Sequence, residues 1–178
     1  MNNTALLVID VQNGLFSDPK CPVYKEKMLI ENIKKVIKKA TEANIPIIYI
    51  QHTDDSWIPK GSKVWQIYEQ IKPSKEDKKI IKFTPDAFYK TSLNSELKNN
   101  GIKNLVIVGL QTEYCIDTTC RRAFSLGFKT TLIKDAHSTC DSSKLNAVEI
   151  IEHHNQVLSD WFVEMKTADQ INFYKIVE

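Results

Sequence analysis

The sequence has little that points to a membrane, a nucleic acid or an export route. Its longest apolar runs, such as 45–50 and 105–110, are far shorter than a membrane span. The 24 Lys and Arg residues nearly balance the 22 Asp and Glu residues, so no strong field attracts nucleic acid or anionic lipid. The first apolar stretch, 5–9, is too short for a signal peptide and has no basic residues before it. We therefore expect a cytoplasmic protein that binds neither nucleic acid nor membrane.

The cysteines lack the spacings of metal sites and redox motifs. Cys21, Cys115, Cys120 and Cys140 form no CxxC pair and no zinc-type arrangement. In a cytoplasmic protein such cysteines are expected to be reduced thiols.

A phosphate-binding glycine loop is also missing. After the first apolar segment the chain reads Asp10-Val11-Gln12-Asn13-Gly14, which is not the Gly-x-Gly-x-x-Gly pattern of a dinucleotide site. The sequence therefore disfavours a nucleotide-binding module, and we predict no cofactor.

Short apolar segments alternate with amphipathic ones along the whole chain. Strands that are apolar on both faces, each followed by a helix, are typical of a parallel sheet covered on both sides. We therefore predict an α/β fold, a three-layer α/β/α sandwich, in a single domain covering 1–178, because no repeat or linker divides the chain. The predicted strands are 5–9, 47–50, 79–83, 105–108, 128–133 and 162–165, and the predicted helices are 25–43, a segment between Ser92 or Asn94 and Gly101, 115–126 and 142–158.

Three chemically complementary residues follow or end separate predicted strands. Asp10 follows the first strand, Lys82 lies at the end of the third, and Cys115 follows the fourth. Open parallel sheets bind ligands beyond the carboxyl ends of their strands, so these side chains should converge. The helix start and Lys82 would both favour a thiolate at Cys115, and Asp10 can accept a proton and return it to a leaving amine. The set predicts acyl transfer by a cysteine nucleophile.

At these positions the chain resembles the isochorismatase-like cysteine hydrolases. The resemblance extends over nearly the whole chain, and its most specific part is the block that ends in Cys115. The segments that carry it are 5–13, 82–93, 108–123 and 134–136.

The resemblance implies both a topology and a set of site residues. It implies a six-stranded parallel sheet of order 3-2-1-4-5-6 and a catalytic triad of Asp10, Lys82 and Cys115. It also implies a cis peptide between Leu110 and Gln111, with the backbone amides of Gln111 and Cys115 forming the oxyanion hole. The family assembles as dimers or larger oligomers, so we expect a homodimer or larger homo-oligomer.

Several activities occur in this family, and the sequence favours one of them. Nicotinamidases carry an Asp-x-His motif for a metal after the second strand; here the segment 51–54 reads Gln-His-Thr-Asp with no second His, so we predict no metal. The complete triad favours hydrolysis of a small amide or lactam through a thioester. The segments 111–115, 121–124 and 152–155 look most like the branch that includes streptothricin hydrolase, which opens a cyclic amide. A nicotinamidase-type or isochorismatase-type hydrolase is the alternative.

Further side chains are candidates for binding a substrate, and one rival function is not enzymatic. A structural role for His52 and an oligomer contact for Trp57 remain open. The rival is a thiol redox sensor that uses Cys115 and Cys120 on one helix. The substrate-binding candidates are Phe16, His52, Trp57 and Tyr114.

Overall fold

The computed structural model of the protein describes residues 3–175. None of the helices in this range is long and apolar enough to cross a membrane. The strands are β1 (Thr4–Ile9), β2 (Ile47–His52), β3 (Lys78–Lys82), β4 (Asn104–Leu110), β5 (Lys129–Ser138) and β6 (Glu164–Lys166). The α-helices are α1 (Asn13–Ser17), α2 (Glu26–Glu42), α3 (Leu93–Asn99), α4 (Asp117–Ser125) and α5 (Ala147–Trp161).

The strands form one parallel sheet of order β3-β2-β1-β4-β5-β6, which confirms the predicted topology. All six residues of β1 are buried, which shows that both faces of the sheet are covered at this strand. Leu6 and Val8 pack into a core beneath α2, while Leu7 and Ile9 pack into a second core with α3 and α4. The helices therefore flank the sheet as two outer layers.

The sheet changes its winding direction between β1 and β4. Ile9, the last residue of β1, aligns with Ile50 of β2 on one side and with Gly109 of β4 on the other. Gly109 has a φ of 126°, and a Cβ added there would collide with the carbonyl oxygen of Ile9. Only glycine allows the two strands to approach so closely. This junction is the topological switch point, where open α/β sheets bind ligands.

Strand β5 is longer than the sequence pattern predicts. The predicted strand ends at 133, whereas the observed one continues to Ser138. A register shift in β4 between Ile107 and Gly109 inserts extra residues of β5, so that His137 lies opposite Gly109. Because this shift interrupts the regular pattern of apolar residues, the sequence of β5 does not predict its second half, 134–138.

Two helices begin later than predicted, each for a local reason. The expected helix 115–126 is preceded by a π-helical turn at Thr112–Ile116, and α4 starts only at Asp117. Helix α5 starts at Ala147 because Asn146 and Glu149 form a capping box: the side chain of each accepts a hydrogen bond from the backbone amide of the other.

Candidate active site

Lys82 contacts both of the other residues of the predicted triad. Its Nζ lies 2.6 Å from Oδ2 of Asp10 and donates a hydrogen bond of 3.1 Å to Sγ of Cys115. Strand β2 separates β3 from β1, and neighbouring strands lie about 4.8 Å apart. A long side chain is therefore needed to reach from the end of β3 to Asp10. The structure thus brings Asp10, Lys82 and Cys115 together, as the sequence predicts.

Asp10 sits where the chain leaves β1. Its φ of 51° lies in the left-handed region, which Asp and Asn adopt more readily than most residues. Its amide still donates to the carbonyl oxygen of Ile50, at 2.9 Å, so the residue is fixed to the sheet. Oδ1 of Asp10 is buried and has no hydrogen-bond partner among residues 3–175. This oxygen is free to accept a proton.

Burial and charge set the resting protonation states of the cluster. Burial has the largest single effect on the pKa of Lys82 and lowers it, but the charges of Asp10 and Cys115 and the hydrogen bonds to them together raise it above its ordinary value, so the ammonium stays charged. Burial raises the pKa of Cys115, and the charge of Asp10 raises it further, against the opposing effect of Lys82. The pKa of Cys115 is therefore shifted upward, opposite to the direction that the sequence predicts from the helix start and Lys82.

Cys115 lies in the π-helical turn that follows β4, not in the first turn of an α-helix. The peptide bond between Leu110 and Gln111 is cis, as the resemblance implied. The carbonyl oxygen of Gln111 accepts hydrogen bonds from the amides of Tyr114 and Ile116, at 3.2 and 3.1 Å, and closes the turn. Gln111 and Cys115, the two predicted oxyanion-hole residues, both line the same cavity.

His52, the last residue of β2, lies beside the cluster in a defined tautomer. Its Nδ1 is 3.4 Å from Nζ of Lys82, which can only donate, so the proton of a neutral ring is on Nε2. Burial lowers the pKa of His52, and the charge of Lys82 lowers it further. The ring is therefore a neutral donor at the cavity.

Gln12 is a site residue that the sequence reasoning missed. Its buried side chain donates to the carbonyl oxygens of His52 and Trp65, at 3.0 and 2.8 Å, and accepts from the amide of His52 at 2.8 Å. These bonds fix the end of β2 and attach the irregular segment 53–74 to it. A glutamine three residues beyond the end of the buried β1 was the available signal, because a buried amide must find partners.

The cluster opens into a small cavity of about 170 Å³. The ring of Trp57 stacks on that of His52, with centroids 6.1 Å apart, and Trp57 and Tyr114 are 48% and 56% exposed. Phe16, also a predicted substrate-binding residue, is not among the residues that line the cavity: its ring packs against Tyr68, at 4.4 Å between centroids. The lining residues are Asp10, Leu15, His52, Trp57, Pro85, Gln111, Tyr114 and Cys115.

Two side chains at the end of β2 are not available to bind a metal. Nε2 of Gln51 donates to the carbonyl oxygen of Trp65 at 3.1 Å, and the hydroxyl of Thr53 donates to that of Ile58 at 3.3 Å. Both side chains are buried and used for structure. Across residues 3–175, no group of three or more His, Cys, Asp or Glu side chains is arranged to hold an ion.

The remaining cysteines do not behave as the sequence suggested. Cys21 and Cys140 form a disulfide, so the expectation of four reduced thiols is wrong for this pair. Their separation of 119 residues leaves no local signal for the pairing. Cys120 is a free thiol that is completely buried in the second core. Its burial disfavours the rival sensor built from Cys115 and Cys120.

The fold is that of an α/β protein in which Asp10, Lys82 and Cys115 meet at the switch point of the sheet. Residues 4–161 match the family model described as the isochorismatase domain. The chain therefore belongs to the isochorismatase family, and it is a hydrolase of that family.

The similar proteins cover most of the chain. The uncharacterized isochorismatase family protein YrdC of Bacillus subtilis is 35% identical over 94% of this chain and 93% of its own length. Nicotinamidase 3 of Arabidopsis thaliana is 30% identical over 76% of this chain and 73% of its own. A solved structure of an isochorismatase family protein has a TM-score of 0.89 and 34% identity, and the match covers 94% of this chain and 99% of that one.

Proposed function

We propose that this hydrolase cleaves the C–N bond of a small, uncharged amide or lactam through a thioester acyl-enzyme. One observation carries the proposal: a single buried cation, Lys82, contacts both a carboxylate at 2.6 Å and a thiol at 3.1 Å, at the wall of a cavity. A thiol paired with a base and held by a third group is the arrangement of nucleophilic catalysis.

The first half of the reaction transfers the thiol proton. Because the pKa of Cys115 is raised, the proton leaves only as Sγ attacks the substrate carbonyl, and Asp10 accepts it. The carbonyl oxygen becomes an oxyanion, which the backbone amides of Gln111 and Cys115 stabilise. Asp10 then donates its proton to the leaving nitrogen, and the C–N bond breaks.

The second half hydrolyses the thioester. Asp10, again a carboxylate, takes a proton from water, and the resulting hydroxide attacks the acyl carbon. The C–S bond breaks, and the thiolate of Cys115 regains a proton from Asp10. Throughout the cycle Lys82 stays in contact with both Asp10 and Cys115 and offsets the negative charge that moves between the carboxylate and the sulfur.

The cavity supports a small and uncharged substrate. Its volume of about 170 Å³ is below the usual range of drug-sized sites, about 300–1,000 Å³. Lys82 lies behind the cavity and its charge is already matched by Asp10, and no Lys or Arg side chain lines the cavity formed by the described residues. The neutral Nε2–H of His52 is available to a carbonyl oxygen of the substrate, and Trp57 and Tyr114 would cover its apolar faces.

A relative supports the bond type but not the substrate. Nicotinamidase 3 is, by name, an amidase. In this chain, however, the side chains of Gln51 and Thr53 stand where a nicotinamidase would place a metal motif, and both are engaged with backbone carbonyls. We therefore favour amides that require no metal beside the scissile group, including cyclic ones.

A release assay tests the proposal. Purified enzyme is incubated with a panel of small amides and lactams, including nicotinamide and streptothricin, and ammonia or amine formation is measured, with pyruvate release from isochorismate as the vinyl-ether comparison. Cys115→Ala should abolish turnover while leaving the circular dichroism spectrum unchanged, and rapid quenching should yield a protein mass increased by the acyl group. Full activity in Cys115→Ala, or turnover restricted to isochorismate, would overturn the proposal.

A further inference from the structure

A second cysteine pair lies next to the candidate active site. Cys21, in the loop between α1 and α2, is bonded to Cys140, in the loop that follows β5, with Cα atoms 5.2 Å apart. Both residues are partly exposed, so a small thiol or a dithiol protein can reach the bond. Neither residue lines the catalytic cavity, and the proposed reaction uses neither of them.

The disulfide contacts a residue of the oxyanion hole. Nε2 of Gln111 donates a hydrogen bond of 3.3 Å to Sγ of Cys21 and lies 3.8 Å from Sγ of Cys140. The same residue lines the catalytic cavity, and its carbonyl oxygen closes the turn that carries Cys115. The side chain of Gln111 thus contacts the disulfide, while the same residue lines the cavity and closes the turn that carries Cys115.

The two loops have hydrogen bonds that do not depend on the disulfide. The amide of Tyr24 donates to the carbonyl oxygen of Thr139 at 2.8 Å, and the hydroxyl of Ser138 donates to the carbonyl oxygen of Tyr24 at 2.7 Å. The hydroxyl of Thr139 also donates to Glu113, in the catalytic turn, at 2.9 Å. Opening the disulfide would therefore loosen the loops without separating them, so that the bond can form again.

We propose that Cys21–Cys140 is a reversible redox site through which a dithiol controls the oxyanion hole. A thiolate of the dithiol attacks one sulfur of the pair, the Cys21–Cys140 bond breaks, and a mixed disulfide forms. The second thiol of the dithiol then attacks the mixed disulfide. The dithiol leaves with an internal disulfide of its own, and Cys21 and Cys140 both end as thiols. The dithiol loses two electrons and the pair gains two. In the reduced form Gln111 loses its fixed sulfur contact, and the catalytic turn becomes more mobile.

The catalytic consequence rests on the proposed function. Loss of a complete oxyanion donor costs about 10²–10³-fold in kcat. Loosening the donor should cost less, so we expect kcat to fall about 3- to 10-fold on reduction with little change in KM.

The test compares two forms of the wild-type enzyme with a double variant. The oxidised enzyme, denatured, should show two reactive thiols, those of Cys115 and Cys120, and the enzyme treated with dithiothreitol should show four. Hydrogen exchange in the peptide 110–116 should be faster in the reduced form and in Cys21→Ser/Cys140→Ser, which should not respond to dithiothreitol. This readout needs no substrate, so it remains decisive if no amide is hydrolysed.

A variant of Gln111 identifies the route of the coupling. In Gln111→Ala the exchange rate of 110–116 should no longer depend on the redox state, because the contact with the sulfurs is gone. The kcat of any substrate found should follow the same pattern. Four reactive thiols in enzyme treated with the oxidant diamide, or equal exchange in the oxidised and reduced wild type, would overturn the proposal.

Discussion

Nζ of Lys82 and Oδ2 of Asp10 lie 2.6 Å apart, with side chains that are 0% and 2% exposed, although their strands are not neighbours in the sheet. Each charge has given up water and depends on the other for compensation. Removing one partner therefore leaves an uncompensated charge in the interior, at the centre of the proposed catalytic machinery.

Replacement of the cation should be costly for stability as well as for activity. Lys82→Met keeps the length of the side chain but leaves the carboxylate of Asp10 unpaired. We expect a loss of about 3–5 kcal/mol in the free energy of unfolding, measured with urea. Lys78→Met is the matched control in the same strand, because its ion pair with Glu96 is exposed, at 52% and 32%, and should contribute at most about 1 kcal/mol. Equal losses in the two variants would contradict the prediction.

The thiol should react slowly at neutral pH. Because the pKa of Cys115 is raised, its alkylation by iodoacetamide should increase with pH beyond pH 9 and show no plateau near pH 7. Asp10→Asn removes a charge that raises this pKa, so alkylation at pH 8 should become faster. Mass spectrometry of the Cys115 peptide gives both rates. A slower reaction in Asp10→Asn would show that the carboxylate acts mainly by accepting the proton in the free enzyme.

Gln12 should contribute more to stability than its partly exposed neighbour, Asn13. Gln12→Leu leaves the amide and carbonyl of His52 and the carbonyl of Trp65 without this partner. We expect a loss of about 1–3 kcal/mol in unfolding free energy and a rise in KM, since the end of β2 and the segment carrying Trp57 would shift. Asn13→Ala removes one exposed hydrogen bond to Lys63 and serves as control. A similar loss in both variants would argue against this role.

Acid should destabilise the fold through a buried histidine. His137 accepts from the hydroxyl of Thr112 and donates to Oδ1 of Asn155, both at 2.9 Å, and burial lowers its pKa to about 4. A lowered histidine pKa gives stability that is complete above the unfolded value of 6.5 and is lost as pH falls from 6.5 to 4. Between pH 7.5 and pH 5 this amounts to about 2 kcal/mol, at 1.36 kcal/mol per pKa unit.

Urea titrations of the wild type and His137→Gln across this pH range measure the effect. The variant should be less stable at pH 7.5 but should lose about 2 kcal/mol less than the wild type on acidification. Parallel losses in the two proteins would assign the acid sensitivity to other groups.

The sequence predicts the sheet well because local patterns carry the necessary information. Six consecutive buried residues in β1 and a helix after most strands are enough for a parallel, doubly covered sheet. The convergence of Asp10, Lys82 and Cys115 follows from their positions at strand ends together with the family resemblance. The extension of β5 escapes prediction because it depends on a register shift that only pairing with β4 defines.

The finer features of the site depend on contacts between distant residues. The bond between Cys21 and Cys140 and the place of Gln12 between β2 and segment 53–74 involve separations that no local pattern encodes. The pKa of Cys115 is another case: whether it is raised or lowered depends on the balance between burial, the charge of Asp10 and the charge of Lys82. Similarly, whether Leu15 or Phe16 enters the cavity is decided by the orientation of the short helix α1.

The left-handed backbone of Asp10 also limits how this position can change during evolution. A φ of 51° is tolerated by Asp, Asn and Gly but strains β-branched residues. Descendants of this protein that abandon the chemistry should therefore replace the aspartate with asparagine or glycine far more often than with valine, isoleucine or threonine. In a collection of related sequences, Asn or Gly at this position would then mark lineages that kept the fold and lost the proposed base.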